Sequence, residues 1–261
     1  MESSGTVIEV GDDVKSFTID DSVIVSGKTG SFAEEIIAAE DLLRLKPDSL
    51  NWEQAASFTV AYLTAYVALV CRGNIESGES LLVHGAAGGV GLAAVDLGMH
   101  YGANVIATSA SSKKREFLSS YGAHHVLPDS GFKDKVQELT PCNGADSIYD
   151  PVGGELFDQC MRCINWYGRI LVVGFVGGEI PRVPTNLILL KSCQVIGVFY
   201  GAFSARYPLE NQRNFQEILD YVEKWAVIHL TGKTFPLEEY KEALNCLAER
   251  RAIGKIVVKV Q

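Results

Sequence analysis

The sequence contains no uninterrupted apolar run of about 18 residues, which is the length that a membrane-spanning helix needs. It is also poor in positive charge, because 23 Lys and Arg stand against 32 Asp and Glu and the formal net charge is -9. Binding to a nucleic-acid backbone depends on Lys and Arg, so this balance argues against such a partner. We therefore expect no membrane and no nucleic acid among the partners of this chain.

Targeting signals and clustered cysteines are missing as well. The first residues, MESSGTVIEVGDD, contain neither the basic nor the apolar segment of a secretory signal. The six cysteines are scattered, as expected for reduced thiols inside a cell. Cys160 and Cys163 form a C-x-x-C pair, but no second pair completes four zinc ligands, so packed thiols are favoured over zinc or redox chemistry. The predicted location is intracellular and cytoplasmic, or mitochondrial if a targeting segment lies upstream.

Apolar strands alternate with helical segments through the middle of the chain. The strands are SLLVHGA, NVIATSA, HHVLP, DSIYDPV, GRILVVGF and CQVIGVF. Short continuous apolar strands separated by helices predict an α/β fold with a parallel sheet covered on both faces. Residues 5–39 show β patterns, including SFAEEIIA, while two amphipathic helices and the strand GKIVVKV follow near the C-terminus, with a turn predicted at Phe235 and Pro236.

One glycine-rich turn joins the first of these strands to a helix. The stretch LLVHGAAGGVGLAAVDLG contains the spacing A-x-G-x-x-G from Ala86 to Gly91. Small residues let the backbone approach a pyrophosphate closely, and the helix N-terminus offers free N–H groups and a partial positive charge. Because the turn follows a strand and opens a helix, it predicts a dinucleotide-binding site rather than a packing turn without a ligand.

The end of the second strand indicates which dinucleotide is bound. NAD enzymes usually carry an acid there for the ribose 2′-hydroxyl. Here the hydroxyl residues Thr108, Ser109 and Ser111 are followed by Lys113, Lys114 and Arg115, at least one of which we expect to be only a solvated helix residue. This composition suits a 2′-phosphate, so NADPH is preferred to NADH.

Eight stretches in order along the chain resemble the quinone oxidoreductase (zeta-crystallin) branch, a zinc-independent branch of the medium-chain dehydrogenase/reductase superfamily. They are GTVIEVGDDVKSF, GSFAEEIIA, QAASFTVAYLTAYVAL, VHGAAGGVGLAAVDLG, YGA, DPVGG, GRILVVGF and AERRAIGKIVV. The resemblance implies a Rossmann NADP-binding domain over residues 60–205. It also implies a GroES-like, β-rich substrate domain built from both chain ends, residues 1–59 and 206–261.

The resemblance also implies where the cofactor is held. Thr64 matches the threonine that contacts the nicotinamide, and the strand-end loops that flank that ring match at Val173, Gly174, Phe175, Phe199 and Tyr200. The pyrophosphate turn matches at Ala86, Ala87, Gly88, Gly89, Val90 and Gly91. Ser109 and Lys114 match the adenosine phosphate site. Arg251, or Lys255 instead, matches a C-terminal cation near that phosphate. Asp129 would place an acid beside the phosphate, which argues against NADPH.

The implied reaction is hydride transfer from NADPH to a quinone or another α,β-unsaturated carbonyl. Val60 stands where zinc-dependent members carry a catalytic cysteine, and no four-cysteine cluster precedes GSFAEE, so no zinc is expected. No catalytic acid is identified, because Tyr62 and Tyr66 have the helical spacing of packing residues. The alternative function is an NADP(H)-binding protein without significant catalysis.

The resemblance implies two further features. The segment Met1 to Val7 matches an internal part of the family's first domain, so we expect a shortened chain with part of the substrate domain missing and weakened turnover. The strand CQVIGVF corresponds to a sheet edge that pairs across a two-fold axis in relatives, which predicts a homodimer.

Overall fold

The computed structural model describes residues 2–27, 29–140, 144–225 and 231–260. The chain divides into two compact units. Unit 1 comprises Met1–Ala61 and Phe215–Gln261, and unit 2 comprises Tyr62–Asn214. The first unit is therefore built from both ends of the chain, with the second inserted between them.

Unit 1 begins with a small antiparallel sheet. Its strands are β1 (Glu2–Thr6), β2 (Ser22–Ser26) and β3 (Leu43–Leu45), in the order β1-β2-β3. The middle strand buries Val23, Ile24 and Val25. Helix α1 (Trp52–Tyr66) follows and runs into unit 2, where it continues as a π-helical segment, Val67–Arg72.

Unit 2 is a six-stranded parallel sheet with helices between its strands. The strands are β4 (Ser80–Val83), β5 (Asn104–Thr108), β6 (His125–Leu127), β7 (Ala145–Asp150), β8 (Ile164–Val172) and β9 (Gln194–Gly197). The connecting helices are α2 (Gly89–His100), α3 (Ser112–Tyr121), α4 (Phe132–Leu139), α5 (Glu155–Cys163) and α6 (Thr185–Lys191), and α7 (Tyr200–Arg206) follows β9. The strand order is β6-β5-β4-β7-β8-β9. Strands β4 to β6 extend the sheet in one direction, and the chain then returns to place β7 on the other side of β4.

The chain returns to unit 1 through helix α8 (Pro208–Trp225). The parallel strand pair β10 (Thr231–Pro236) and β11 (Lys255–Lys259) is connected through helix α9 (Tyr240–Ala248). Glu2 joins the two ends of the chain within this unit. Its carboxylate lies 2.5 Å from Nζ of Lys255 and accepts a 2.7 Å hydrogen bond from the N–H of Val60.

Burial of the central strands explains why they are continuous apolar runs. All four residues of β4 and most of β5 and β7 are buried between the two helix layers. One apolar cluster joins strands β4, β5, β7 and β8 to helices α4 and α5, and it contains both Cys160 and Cys163. The predicted α/β class, with a Rossmann sheet and a second β-rich domain, is confirmed.

Two local predictions were wrong, and two short helices were not predicted. No strand forms over SFAEEIIA: these residues pair with no strand in the described parts of the chain, and Ile37 is fully exposed. Phe235 and Pro236 end strand β10 rather than forming a turn. The short helices α6 and α7 were not predicted, because seven residues are too few to show a helical period.

The segment Trp52–Arg72 is long and apolar enough to cross a membrane by composition, with 21 residues and a mean hydropathy of 1.5. However, 72% of its most apolar stretch is buried inside the structure, as in the core helix of a soluble protein. Length and composition are therefore weak evidence for a membrane span here.

Candidate dinucleotide-binding site

The glycine turn lies between the end of β4 and the start of α2. Gly85 has a positive φ of 57°. A Cβ added to Gly91 would lie 2.3 Å from the carbonyl oxygen of Gly85, and one added to Gly88 would lie 3.3 Å from the same oxygen. The turn therefore requires glycine at position 91, where helix and turn are in direct backbone contact, and tolerates little at position 88.

The start of α2 presents backbone donors rather than side chains. Gly88 is the N-cap and has no side chain, and the first helical turn contains no acidic residue. The first helical hydrogen bond runs from the N–H of Leu92 to the carbonyl of Gly88 at 2.8 Å. The N–H groups of Gly89, Val90 and Gly91 precede that bond, so they and the helix dipole are suited to an anion such as a pyrophosphate.

Backbone hydrogen bonds tie the turn to the neighbouring strand ends. The N–H of Ala86 donates to the carbonyl of Thr108 at the end of β5, at 3.2 Å. On the other side, the N–H of His84 donates to the carbonyl of Tyr149 in β7, at 3.0 Å. The turn thus lies where the strand order reverses, which is where doubly wound sheets bind their ligands.

The loop between β5 and α3 carries hydroxyl and cationic side chains. Ser109 is 6% exposed, and its N–H donates to the carbonyl of Leu127 at the end of β6. Arg115 donates from one guanidinium nitrogen to the carbonyls of Ser109 and Ala110, at 2.9 and 2.7 Å. Lys113 is exposed and Lys114 is half-buried. These residues form a cationic end of the candidate site, without a carboxylate at the end of β5.

The DPVGG loop after β7 supports both the glycine turn and the loop after β8. Oδ1 of Asp150 accepts hydrogen bonds from the N–H groups of Val152 and Gly153, at 2.8 and 2.9 Å. A Cβ on Gly85 would lie 3.4 Å from Val152, and one on Gly174 would lie 3.3 Å from the carbonyl of Pro151. The loop packs tightly enough against Gly174 to favour glycine there, whereas at Gly85 the positive φ of 57° favours glycine.

The structure places the remaining predicted residues as follows. The N–H of Val173 donates to the carbonyl of Asp150, and Phe175 follows it with 40% of its surface exposed. Phe199 is 77% exposed after β9, and Tyr200 begins α7. Thr64, on α1, is 8% exposed. The strand-end residues therefore share the carboxyl edge of one sheet, and all predicted cofactor residues except Arg251 fall in unit 2.

Arg251 belongs to unit 1 and is paired with acids. Its guanidinium donates to Glu249 at 2.5 Å and to Glu242 at 2.8 Å. Its alternative, Lys255, is paired with Glu2. Both cations thus already have carboxylate partners, and a role for either at the phosphate stays a prediction.

Sequence reasoning missed His84, the residue directly before the glycine turn. Its ring is fully buried, with Nδ1 2.8 Å from Oγ1 of Thr108 and Nε2 3.1 Å from Sγ of Cys160. Burial lowers the pKa of His84, and burial raises the pKa of Cys160 well above its usual range. The pair is therefore a neutral imidazole beside a protonated thiol. It links β4, β5 and α5 and lacks the thiolate of a nucleophilic cysteine.

Two other predicted features act as packing elements. The hydroxyl of Tyr62 donates to Oδ2 of Asp96 in a buried contact, as the helical spacing predicts. Cys160 and Cys163 are free, buried thiols, and burial raises the pKa of Cys163 to about 12. Among the described residues, no group of three or more His, Cys, Asp or Glu side chains is arranged to hold a metal ion.

Comparison with known proteins decides the family. A family model for zinc-binding dehydrogenases matches residues 89–224. The quinone oxidoreductase-like protein 2 homolog of Nematostella vectensis is 37% identical over 265 residues, a match that covers 100% of this chain and 72% of that protein. This chain belongs to the quinone oxidoreductase branch of the medium-chain dehydrogenase/reductase superfamily.

Solved structures agree with that assignment. The mycobacterial protein Rv1454c complexed with NADPH has a TM-score of 0.91 and 28% identity, and the match covers 99% of this chain and 81% of that one. JamJ enoyl reductase has a TM-score of 0.88 and 28% identity, covering 100% and 78%. As a member of this branch the chain is an oxidoreductase with a Rossmann fold, so the resemblance and the enzyme class are confirmed.

Proposed function

We propose that this chain is a zinc-independent reductase that uses NADPH to reduce quinones or α,β-unsaturated carbonyls. The glycine turn carries this proposal, because its uncapped helix N-terminus lies beside the cationic loop from Ser109 to Arg115. Its fit to a pyrophosphate rests on the close contact of Gly91 with Gly85 and on the partial exposure of Gly88, Gly89 and Val90 at the helix start. When bound, NADPH supplies the hydride.

The residues of unit 2 have separate tasks in this proposal. The N–H groups of Gly89 to Gly91 hold the pyrophosphate, while Ser109 and Lys114 bind the adenosine phosphate. Apolar side chains at the ends of β8 and β9, including Phe175 and Phe199, suit a flat, uncharged ring system beside the nicotinamide. The names of the relatives support this substrate class, because they include a quinone oxidoreductase-like protein and an enoyl reductase.

Conjugate reduction is favoured because, within the part of the chain that the structure describes, no three His, Cys, Asp or Glu side chains are grouped to hold a zinc ion. Val60 has an aliphatic side chain that cannot ligate a metal, and its N–H donates to Glu2. Without a metal to polarise the carbonyl, an electron-poor quinone or enone is the easier acceptor of a hydride. The reaction also consumes a proton, and Tyr62 is not its donor because its hydroxyl is bonded to the buried Asp96.

Steady-state oxidation of NADPH tests the function directly. We expect absorbance at 340 nm to fall when a benzoquinone is added to protein and NADPH, with a slower reaction for NADH. Binding of NADPH without turnover of quinones or enones would favour the alternative, a binding protein without significant catalysis. Metal analysis of the same preparation tests the zinc statement, since one zinc per chain would contradict it.

We also propose a homodimer formed along β9. Among the described strands β9 pairs with β8 alone, and the nearby residues Leu189 and Leu190 are 78% and 67% exposed. A second copy would satisfy the free strand edge and cover this apolar surface. Sedimentation equilibrium should report twice the mass of the chain, and Leu190→Lys should reduce it to one mass. Wild-type protein that is monomeric at micromolar concentration would contradict this proposal.

A further inference from the structure

Arg115 contacts the backbone of the loop that precedes its own helix. One of its terminal nitrogens donates to two successive carbonyls, of Ser109 at 2.9 Å and of Ala110 at 2.7 Å. Its own N–H donates to the carbonyl of Ser111 at 3.0 Å. The side chain therefore turns back toward the end of β5, whereas the neighbouring Lys113 is exposed.

These contacts hold the backbone of Ser109, which we expect to bind the 2′-phosphate. The N–H of Ser109 is held by the carbonyl of Leu127 and its carbonyl by Arg115, so the peptide groups on both sides of Ser109 are fixed. The preceding residue, Thr108, is fixed as well, because its hydroxyl lies 2.8 Å from Nδ1 of the buried His84. The backbone from which the Ser109 side chain projects is thus held in place before any ligand arrives.

The contacts also change the electrostatics of the loop. Without Arg115, the carbonyl oxygens of Ser109 and Ala110 would present partial negative charge where we expect a 2′-phosphate to bind. The guanidinium of Arg115 offsets the charge of both oxygens. The first turn of α3 contains no acid and carries three cations, although cations are unfavourable at the positive end of a helix. An anion bound at this end would relieve that repulsion.

We propose that Arg115 is a positioning residue that determines the preference for a 2′-phosphorylated dinucleotide. It acts through the carbonyls of Ser109 and Ala110, and the phosphate itself is bound by Ser109 and Lys114. This inference rests on the proposed function, because it assumes that the chain binds a dinucleotide at the glycine turn.

The test compares ligands with and without the 2′-phosphate. NADPH, NADH, adenosine 2′,5′-bisphosphate and 5′-AMP are titrated calorimetrically into wild-type chain, Arg115→Met, Arg115→Lys and Lys113→Met. The last variant is the matched control, because it removes one positive charge from the same helical turn and breaks no carbonyl contact. The two nucleotide fragments report on the adenosine end alone and need no turnover.

We expect Arg115→Met to reduce the ratio of the NADH and NADPH dissociation constants at least tenfold, with Lys113→Met reducing it less than threefold. Arg115→Lys, which keeps the charge, should restore part of the ratio, and it also serves if Arg115→Met fails to fold. If Arg115→Met kept this ratio within twofold of the wild-type value, the inference about Arg115 would be overturned and the proposed function would stand. If only Arg115→Lys folds, the same twofold limit applies to that variant. Equal reductions in Arg115→Met and Lys113→Met would overturn it too, because charge alone would then explain the preference. Wild-type chain that binds none of the four ligands would overturn the proposed function, and this inference with it.

Discussion

The hydroxyl of Tyr62 donates a hydrogen bond of 2.5 Å to Oδ2 of Asp96, and both residues are buried. Tyr121 donates to the other oxygen, Oδ1, at 2.6 Å. One buried carboxyl thus joins the three helices α1, α2 and α3. Since α2 is the helix whose N-terminus forms the candidate pyrophosphate site, this contact orients the site from its far end.

Replacing Tyr62 by phenylalanine should destabilise the protein by about 1–3 kcal/mol, because Oδ2 of the buried Asp96 loses a donor that water cannot replace. Urea unfolding followed by circular dichroism measures this. Tyr207→Phe is the control, since Tyr207 is 55% exposed and should change stability by less than about 0.5 kcal/mol. Equal stability of Tyr62→Phe and wild type would show that the contact contributes nothing.

Gly91→Ala should abolish dinucleotide binding and lower stability, because the added methyl group would lie 2.3 Å from the carbonyl oxygen of Gly85. Gly197→Ala offers a control in the same unit, since a Cβ there meets no atom within 4 Å. Gly88→Ala should have an intermediate effect, as its Cβ would lie 3.3 Å from the same oxygen. Titration with NADPH and thermal unfolding measure the two effects. Tight binding by Gly91→Ala would contradict the proposed site.

Stability should fall as the pH drops below about 6.5, the ordinary pKa of histidine in an unfolded chain. Burial lowers the pKa of His84 in the folded state, although Asp150 and Asp129 oppose that shift. The unfolded state therefore binds a proton that the folded state does not, and the loss approaches about 1.4 kcal/mol per pH unit. His84→Gln should remove part of this slope in unfolding experiments between pH 5 and 8. His125→Gln controls for loss of a histidine elsewhere, and an identical slope in all three proteins would refute the assignment to His84.

Cys160 and Cys163 should resist alkylation in the native protein, because both thiols are buried and burial raises their pKa. Only thiolates react readily with iodoacetamide. We expect labelling of these two cysteines to slow at least about 100-fold relative to urea-unfolded protein, with the half-buried Cys71 reacting before either of them. Mass spectrometry of labelled peptides measures each rate. Rapid labelling of Cys160 in the native state would instead indicate an activated thiol beside His84.

The sequence predicted the parts of this fold that depend on local patterns. Continuous apolar strands predict the parallel sheet, because strands buried on both faces need apolar residues throughout. The glycine spacing predicts the turn at Ala86–Gly91, because close backbone contact there allows few residue types. The alternating polar and apolar residues of SFAEEIIA suggested a strand, but none forms there. A strand also needs a neighbouring strand to pair with, and a local pattern does not show whether one is present.

Other features depend on contacts that no local pattern records. His84 gave no signal beyond its place before the glycine turn, because its partners Thr108 and Cys160 lie 24 and 76 residues away. The two contacts of Arg115 were equally hidden, since a sequence shows a cluster of cations but not the direction in which each side chain points. Long-range pairing and side-chain direction are properties of the packed state.

The contact of Glu2 with Lys255 spans 253 residues, and this separation has a consequence for synthesis on the ribosome. Strand β11 and its lysine are the last of the described elements to be synthesised, so the first unit cannot complete its contacts until β11 has left the exit tunnel. Residues 62–214 form one continuous unit and can fold earlier, while the N-terminal strands still wait for their partners. In this interval strands β1 to β3 stay exposed in the nascent chain, and chaperones then have most reason to bind them.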